Sequence, residues 1–269
     1  MRAFSKWAAF GSLVGFLALS GCASSNEGQV VSAAQVGMDQ DPPEVSHMNF
    51  IREALGKVAL RPDQRPLIDQ LGREAEARHE PIRKARLDLR GALADQVAAG
   101  KIDRALLKPQ IDALIQAIEQ SRAADRVALG RLHDILDKDQ RNQFVDAIEE
   151  QFKQRKHDRH GMHQAKQWAA DLNLSDEQRD QIRASMQARF QGQREAMKEQ
   201  MHSMRERGKQ MLDSFRQDQF TPDATVFGRD KIERGVSRMI DFAETALPVL
   251  TPEQRALAAQ KIRTRGGRF

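Results

Sequence analysis

Apolar side chains recur every three or four residues along most of this 269-residue chain, and no segment alternates apolar and polar positions as a strand would. Residues 62–99 and 103–136 each place their apolar residues on one face of a long helix. In the second half, residues 182–215 carry a longer apolar stripe, and Thr221 with Pro222 predicts the start of another helix. The pattern predicts an all-α protein built from long amphipathic helices joined by turns.

One six-residue pattern, a Leu followed four positions later by Gln and five positions later by Arg, occurs four times. The Leu and Gln of the four copies are Leu60 and Gln64, Leu136 and Gln140, Leu174 and Gln178, and Leu250 and Gln254. The step from the first copy to the second is 76 residues, and so is the step from the third to the fourth. Equal spacing predicts one unit written twice, at 47–158 and 159–269.

The residue after the Leu is suited to begin a helix in three of the four copies. Asp137, Ser175 and Thr251 carry side-chain oxygens that accept hydrogen bonds from the unpaired backbone N–H groups of a first helical turn. The Gln three residues later can reach back to the N–H of that residue, which completes a capping box. Arg61 in the first copy has no acceptor atom, so that copy is expected to start its helix without a cap.

The first residues of the chain predict export. Two basic residues precede an apolar run over 7–19 that is too short to span a membrane, so residues 1–21 are interpreted as a signal peptide. Leu-Ser-Gly-Cys ending at Cys22 resembles the lipobox of bacterial lipoproteins, in which the cysteine carries the lipid. The alternative is a free thiol after a plain signal peptide. Ala23, by resemblance to the lipoprotein sorting pattern, favours the outer membrane.

Composition adds three constraints to this interpretation. Cys22 is the only cysteine, so the mature chain has no disulfide and no thiolate metal site. An exported protein is not expected to bind nucleic acid or ATP. The formal net charge of +5 favours binding to anionic surfaces or to acidic polypeptide segments. Residues 22–46, rich in Ser, Gly, Gln and Asp, predict a flexible tether of roughly 25–30 Å between the anchor and the folded part.

The Leu–cap–x–x–Gln pattern, present twice in each predicted unit, resembles the LTxxQ-motif (Spy/CpxP-like) family of periplasmic proteins; the third and fourth copies fit best. The resemblance implies two tandem units of long, bent, antiparallel helical hairpins. Members of the family form antiparallel dimers shaped as a cradle. Some bind unfolded clients without ATP, and others bind metals or tune envelope-stress signalling. Two units in one chain imply an intrachain pseudo-dimer cradle, with a homodimer as the alternative.

Methionines mark the first candidate binding surface. The stripe consists of Met197, Met201, Met204 and Met211, and the cations interleaved with it include Arg194, Lys198 and Arg205. Methionine side chains are flexible and repack against varied partners, so the stripe predicts binding of unfolded or aggregation-prone envelope proteins. The alternative is that these side chains only fill the core between two helices.

Three histidines mark the second candidate site. His157, His160 and His163 follow one another at steps of three, and imidazoles can ligate zinc, copper or nickel. The alternative is a solvated polar linker. A metal-binding resistance or sensor protein is therefore the second functional interpretation, and a structural spacer without a client surface is the third.

No catalytic set accompanies these features. The sequence contains no P-loop, no H-E-x-x-H motif and no cysteine nucleophile beyond the lipobox. Its carboxylates lie beside Arg and Lys at helical spacing, which is typical of solvated ion-pair faces. The chain is interpreted as a lipid-anchored periplasmic chaperone or stress modulator, not an enzyme, with no cofactor unless zinc or another divalent metal binds.

Overall fold

The computed structural model describes residues 46–157, 167–222 and 229–264, and within these ranges the regular elements are all helical. The helices of the first half are α1 (Ser46–Leu55), α2 (Arg65–Ala99), α3 (Arg104–Ile135) and α4 (Lys138–His157). The helices of the second half are α5 (167–171), α6 (Asp176–Phe190), α7 (Arg194–Phe215), α8 (Arg229–Ala246) and α9 (Pro252–Thr264). The predicted all-α fold is confirmed. None of these described helices has the length and hydropathy that crossing a membrane requires.

A tight turn joins α2 to α3 and forms the tip of the first hairpin. Gly100 adopts a φ of +77°, a left-handed conformation that favours glycine, and so ends α2. Asp103 then caps α3, because its carboxylate accepts a hydrogen bond from the backbone N–H of Ala105 at 2.9 Å. Further along, Arg131 of α3 pairs with Glu74 of α2 at 2.6 Å. The two helices therefore run antiparallel.

Two predictions about the second half are wrong. The apolar stripe over 182–215 does not lie on one helix, since a 3-10 turn at Gln191–Gln193 separates α6 from α7. Gly192 lies in this turn, and glycine is the weakest helix former after proline. Thr221 and Pro222 are not helical either, residues 223–228 lie outside the described residues, and the next described helix covers Arg229–Ala246. Thr251 and Pro252, the same two residue types, do start α9, so this residue pair alone does not determine whether a helix begins.

Two apolar cores hold the described helices together, and each draws on both halves of the chain. In the first core, Leu93 and Leu107 from the α2–α3 hairpin pack in one cluster with Ile240 of α8 and with residues of α9. In the second core, Leu136 and its neighbours on α1 to α4 pack with Phe215 at the end of α7. A buried side chain of this size contributes about 1.5–3 kcal/mol. Neither half buries its own apolar face completely without the other.

Each half also contacts the other through the Arg of a motif copy. The guanidinium of Arg255 lies over Gly100, so close that a Cβ added to Gly100 would overlap it. In the other direction, Nη2 of Arg141 donates to Oδ1 of Asp218, just after α7, at 2.7 Å. Arg141 and Arg255 hold the same position in the second and fourth copies. These are the contacts that an intrachain pseudo-dimer needs, and the pseudo-dimer itself stays a prediction.

A four-residue charge cluster joins α3 to α6 and α8. Arg104 binds Glu244 through Nε at 2.6 Å and Asp241 through Nη2 at 2.5 Å. Arg189 binds the same two carboxylates through Nη2 at 2.7 and 2.6 Å. The hydrogen bond from Arg104, followed by that from Arg189, holds the pKa of Glu244 below its ordinary value. The cluster ties the start of the first half's α3 to two helices of the second half.

Candidate functional site

The glutamines of the first two motif copies bind each other. Nε2 of Gln64 donates to Oε1 of Gln140 at 2.7 Å, and Nε2 of Gln140 donates to Oε1 of Gln64 at 2.9 Å. Each amide also donates to backbone beside the other copy, Gln64 to the Ile135 carbonyl at 2.6 Å and Gln140 to the Ala59 carbonyl at 2.8 Å. Both side chains are buried, at 2% and 4% exposure. The pair closes the end of the α2–α3 hairpin opposite its tip.

The third and fourth copies repeat this geometry in the second half. Nε2 of Gln178 donates to Oε1 of Gln254 at 2.8 Å, and the reverse bond measures 3.0 Å. Gln178 also donates to the Val249 carbonyl at 2.8 Å, and Gln254 donates to the Leu172 carbonyl at 3.2 Å. These two glutamines are half-buried. The recurring pair gives a physical reason for the shared step of 76 residues.

Three motif copies form complete capping boxes. Asp137, Ser175 and Thr251 accept from the backbone N–H three residues later at 3.0, 3.1 and 3.2 Å. In return, the Oε1 of each copy's Gln accepts from the N–H of the capping residue at 3.1, 3.0 and 3.0 Å. In the first copy, the N–H of Arg61 donates to Gln64 at 2.8 Å, and α2 has no side-chain cap. Every motif Gln therefore orders its own helix start as well as its partner's.

The acidic residues after two of the caps are held in their charged form. The pKa of Glu177 lies below its ordinary value, because its own backbone N–H and then Ser175 donate to the carboxylate. The pKa of Glu253 is lowered in the same way by its own N–H and then by Thr251. Negative charge in a first turn also opposes the positive end of the helix dipole.

The leucines of the motif belong to the two cores. Leu136 is 1% exposed in the second core, and Leu60 packs half-buried against that core. Leu174 and Leu250 pack half-buried against the first core. In each motif copy, the Leu thus packs against an apolar core and the Gln pairs with the Gln of another copy. In three copies, the residue after the Leu caps a helix. These contacts leave no free polar group on Gln64 or Gln140 for a ligand.

The methionine stripe lies on α7 and reaches different depths. Met197 is buried at 8% exposure, whereas Met201, Met204 and Met211 are half-buried. Lys198 and Arg205 are exposed beside them, and the side chain of Arg194 lies outside the described residues. Exposed carboxylates alternate with these cations at Glu195, Glu199 and Glu206. We call Met201, Met204, Met211, Lys198 and Arg205 the α7 surface.

The histidine candidate lies where the structure gives no side chains. His157 is the last described residue of α4, but its side chain, together with His160 and His163, falls outside the described residues. Among the side chains that the structure describes, no group of three or more His, Cys, Asp or Glu residues is placed to hold a metal ion. Metal binding stays a prediction, as does lipidation at Cys22, which also lies outside the described ranges.

The segment that holds the paired motif copies of the second half is similar to a known family. Residues 160–261 match the model of the LTXXQ motif family. Members of this family are typically periplasmic, and the match indicates a protein related to stress or metal resistance. No curated protein and no solved structure matches the chain.

Sequence reasoning missed two roles of the LTXXQ copies. It assigned each Gln to its own cap, whereas the structure pairs Gln64 with Gln140 across the hairpin. The signal was the equal spacing, because two identical amide groups at one end of a hairpin can satisfy each other. It also missed the contacts of Arg141 and Arg255 with the opposite half. No sequence signal marked these, since an Arg in a first turn usually points into solvent.

Proposed function

We propose that this chain is an ATP-independent periplasmic chaperone or envelope-stress modulator, which binds unfolded or aggregation-prone envelope proteins on the α7 surface. The observation that carries the proposal is the grouping of three half-buried methionines with two exposed cations on a single helix. The LTXXQ match supports the periplasmic and stress-related part. No catalytic residue takes part in this proposal.

The chemistry of α7 suits varied and transient partners. Thioether side chains are unbranched and polarizable, so they adapt to different apolar segments without a fixed pocket. Lys198 and Arg205 attract acidic segments, and the alternating Glu195 and Glu199 attract basic ones. Half-buried methionines offer limited apolar area, and each buried methylene contributes only about 0.8 kcal/mol. Clients are therefore expected to bind weakly and to leave without ATP.

The anchor would place this surface close to the membrane. A lipid on Cys22 and a tether over 22–46 would hold the helices near the outer membrane, where envelope proteins pass during assembly. The membrane partner in this proposal is the lipid bilayer, reached only through the N-terminal acyl chains. Nucleic acid has no role.

An aggregation assay separates the three functional interpretations. The mature chain over residues 22–269, carrying Cys22→Ser, is mixed at equimolar ratio with a reduced disulfide-containing client, with and without zinc, while light scattering is followed. Suppression of scattering without zinc supports the chaperone. Zinc binding without suppression supports the metal-resistance alternative. If the chain neither suppresses scattering nor binds zinc, the result supports a structural spacer.

The metal alternative rests on the family's association with metal resistance and on three histidines. Calorimetric titration of zinc into the mature chain tests it directly. A variant with His157, His160 and His163 all changed to Ala should lose the heat of binding if these residues are the ligands. Unchanged heat would remove them as a metal site.

A further inference from the structure

Methionines with described side chains lie in the second half of the chain alone: Met186, Met197, Met201, Met204, Met211 and Met239. The third motif copy follows the first by 174 − 60 = 114 residues, so equivalent positions can be compared. The positions equivalent to Met201, Met204 and Met211 hold Leu87, Arg90 and Val97. Leu87 is 43% exposed, so the first half presents an apolar side chain there that contains no sulfur. Met48 in α1 has no described side chain, so the comparison holds only for the methionines whose side chains the structure describes.

The α7 methionines differ in their access to solvent. Met197 is buried at 8% exposure, and Met201, Met204 and Met211 are half-buried. A thioether reacts with oxidants without losing a proton, so access to the sulfur controls its reaction more than local charge does. One helix thus carries three partly exposed methionines and one buried methionine.

Charged side chains of both signs lie next to these methionines. Lys198 and Arg205 lie three residues before and four residues after Met201, which places all three on one helix face. The Lys198 side chain is 81% exposed, and its nearest carboxylate, Glu195, lies at 3.9 Å. Glu195, Glu199 and Glu206 offset these cations, so the exposure of the methionines, and not the local charge, distinguishes the site.

We propose that Met201, Met204 and Met211 form a site of reversible oxidation by hypohalous acids, and that oxidation there weakens client binding. The second part rests on the proposed function. A sulfur lone pair attacks the chlorine of hypochlorous acid and the O–Cl bond breaks, which releases hydroxide. Water then adds to the sulfur and chloride leaves with the loss of two protons. The sulfur loses two electrons, chlorine is reduced to chloride, and the product is methionine sulfoxide.

The product changes the α7 surface in a defined way. A sulfoxide is polar and chiral where the thioether was apolar and flexible, so the surface loses affinity for apolar segments. Methionine sulfoxide reductases restore the thioether, which makes the change reversible. Under hypohalous stress the chain would consume oxidant at α7 and release its clients.

Peptide mass spectrometry tests the oxidation site without any client. The mature chain with Cys22→Ser is treated with increasing hypochlorous acid below one equivalent per methionine, and the added oxygen is mapped by peptide. Oxidation of Met201, Met204 and Met211 should be several-fold faster than oxidation of Met197. Equal rates at Met197, or oxidation of all four only after denaturation, would overturn the site.

Client protection tests the consequence separately. The oxidised wild-type chain should lose client protection, and treatment with a methionine sulfoxide reductase should restore it. In a variant with Met201, Met204 and Met211 changed to Leu, the protection that remains before treatment is measured first, and oxidation should cause no further fall from that value. Equal loss in the variant would overturn the switch. If the untreated chain protects no client, the proposed function fails, while the mapped order of oxidation still decides the site.

Discussion

Gln64 and Gln140 exchange two side-chain hydrogen bonds, at 2.7 and 2.9 Å, although 76 residues separate them in the chain. Gln64 lies at the start of α2, and Gln140 lies in the first turn of α4. The same pair forms between Gln178 and Gln254. The Gln of the LTXXQ motif therefore joins two helix starts in each half. The role of this Gln is structural, so we assign client binding to a different part of the molecule.

Replacing Gln64 with Ala should destabilise the chain more than replacing Gln178. Gln140, the Ile135 carbonyl and the Arg61 N–H all lose a buried partner, and an unsatisfied buried polar group costs about 1–3 kcal/mol. Gln178 is only half-buried, so water can replace its bonds. Urea denaturation gives both free energies of unfolding. An equal or larger loss for Gln178→Ala would contradict the burial argument.

The capping box of α6 should contribute to stability in a way that the first motif copy does not. Ser175 accepts from the Gln178 N–H at 3.1 Å, and removing an N-cap of this kind costs about 0.5–2 kcal/mol. Arg61, at the matching position, caps nothing and forms an exposed ion pair with Asp137. Thermal and urea unfolding should show that Ser175→Ala lowers stability, with a smaller change for Arg61→Ala. A larger effect at Arg61 would count against the capping role.

The described helices were largely predictable from the sequence, because their apolar spacing and cap residues are local signals. Helix starts at Asp176 and Pro252 follow directly from the capping residues Ser175 and Thr251. Two features have weaker local signals, the 3-10 turn at Gln191–Gln193 and the non-helical Thr221. The apolar stripe continues through the 3-10 turn, so the spacing of apolar residues gave no sign of a break there. The contact between Arg255 and Gly100 was out of reach, since it depends on how the two halves pack.

Acid should weaken the contact between the halves through Glu244. Hydrogen bonds from Arg104 and then Arg189 lower its folded-state pKa below the ordinary 4.5. The resulting stability is fully present above about pH 4.5 and is lost as pH falls through the lowered pKa. Urea unfolding across this range should show a steeper acid loss for wild type than for Glu244→Gln. As a control, Glu206→Gln on the exposed face of α7 should keep the wild-type slope, and a flat wild-type profile would contradict the linkage.

Gly100 and Arg255 should show energetic coupling if the halves pack within one chain. Gly100→Ala places a side chain in left-handed backbone, which costs about 1–2 kcal/mol, and also displaces the Arg255 guanidinium. Removing the guanidinium by Arg255→Ala should relieve the clash with the new Cβ, but not the cost of the left-handed backbone. The double variant should therefore lose less stability than the sum of the single variants.

The same variants give a check on oligomeric state. Size-exclusion chromatography with light scattering should show a monomer of the mature chain, for wild type and for each variant. Strictly additive losses, or an obligate dimer that pairs first halves with each other, would contradict the intrachain pseudo-dimer.

Client protection by the α7 surface is the central claim, and one comparison tests it most directly. Met201, Met204 and Met211 are changed together to Ser, and Met197 is left in place because its burial supports the fold. The matched control changes exposed apolar residues of the first half, Leu87, Leu106 and Val127, to Ser. With equal helicity and unfolding midpoints, the methionine variant should lose most of its suppression of client aggregation while the control keeps it. Equal protection by both variants would contradict the account.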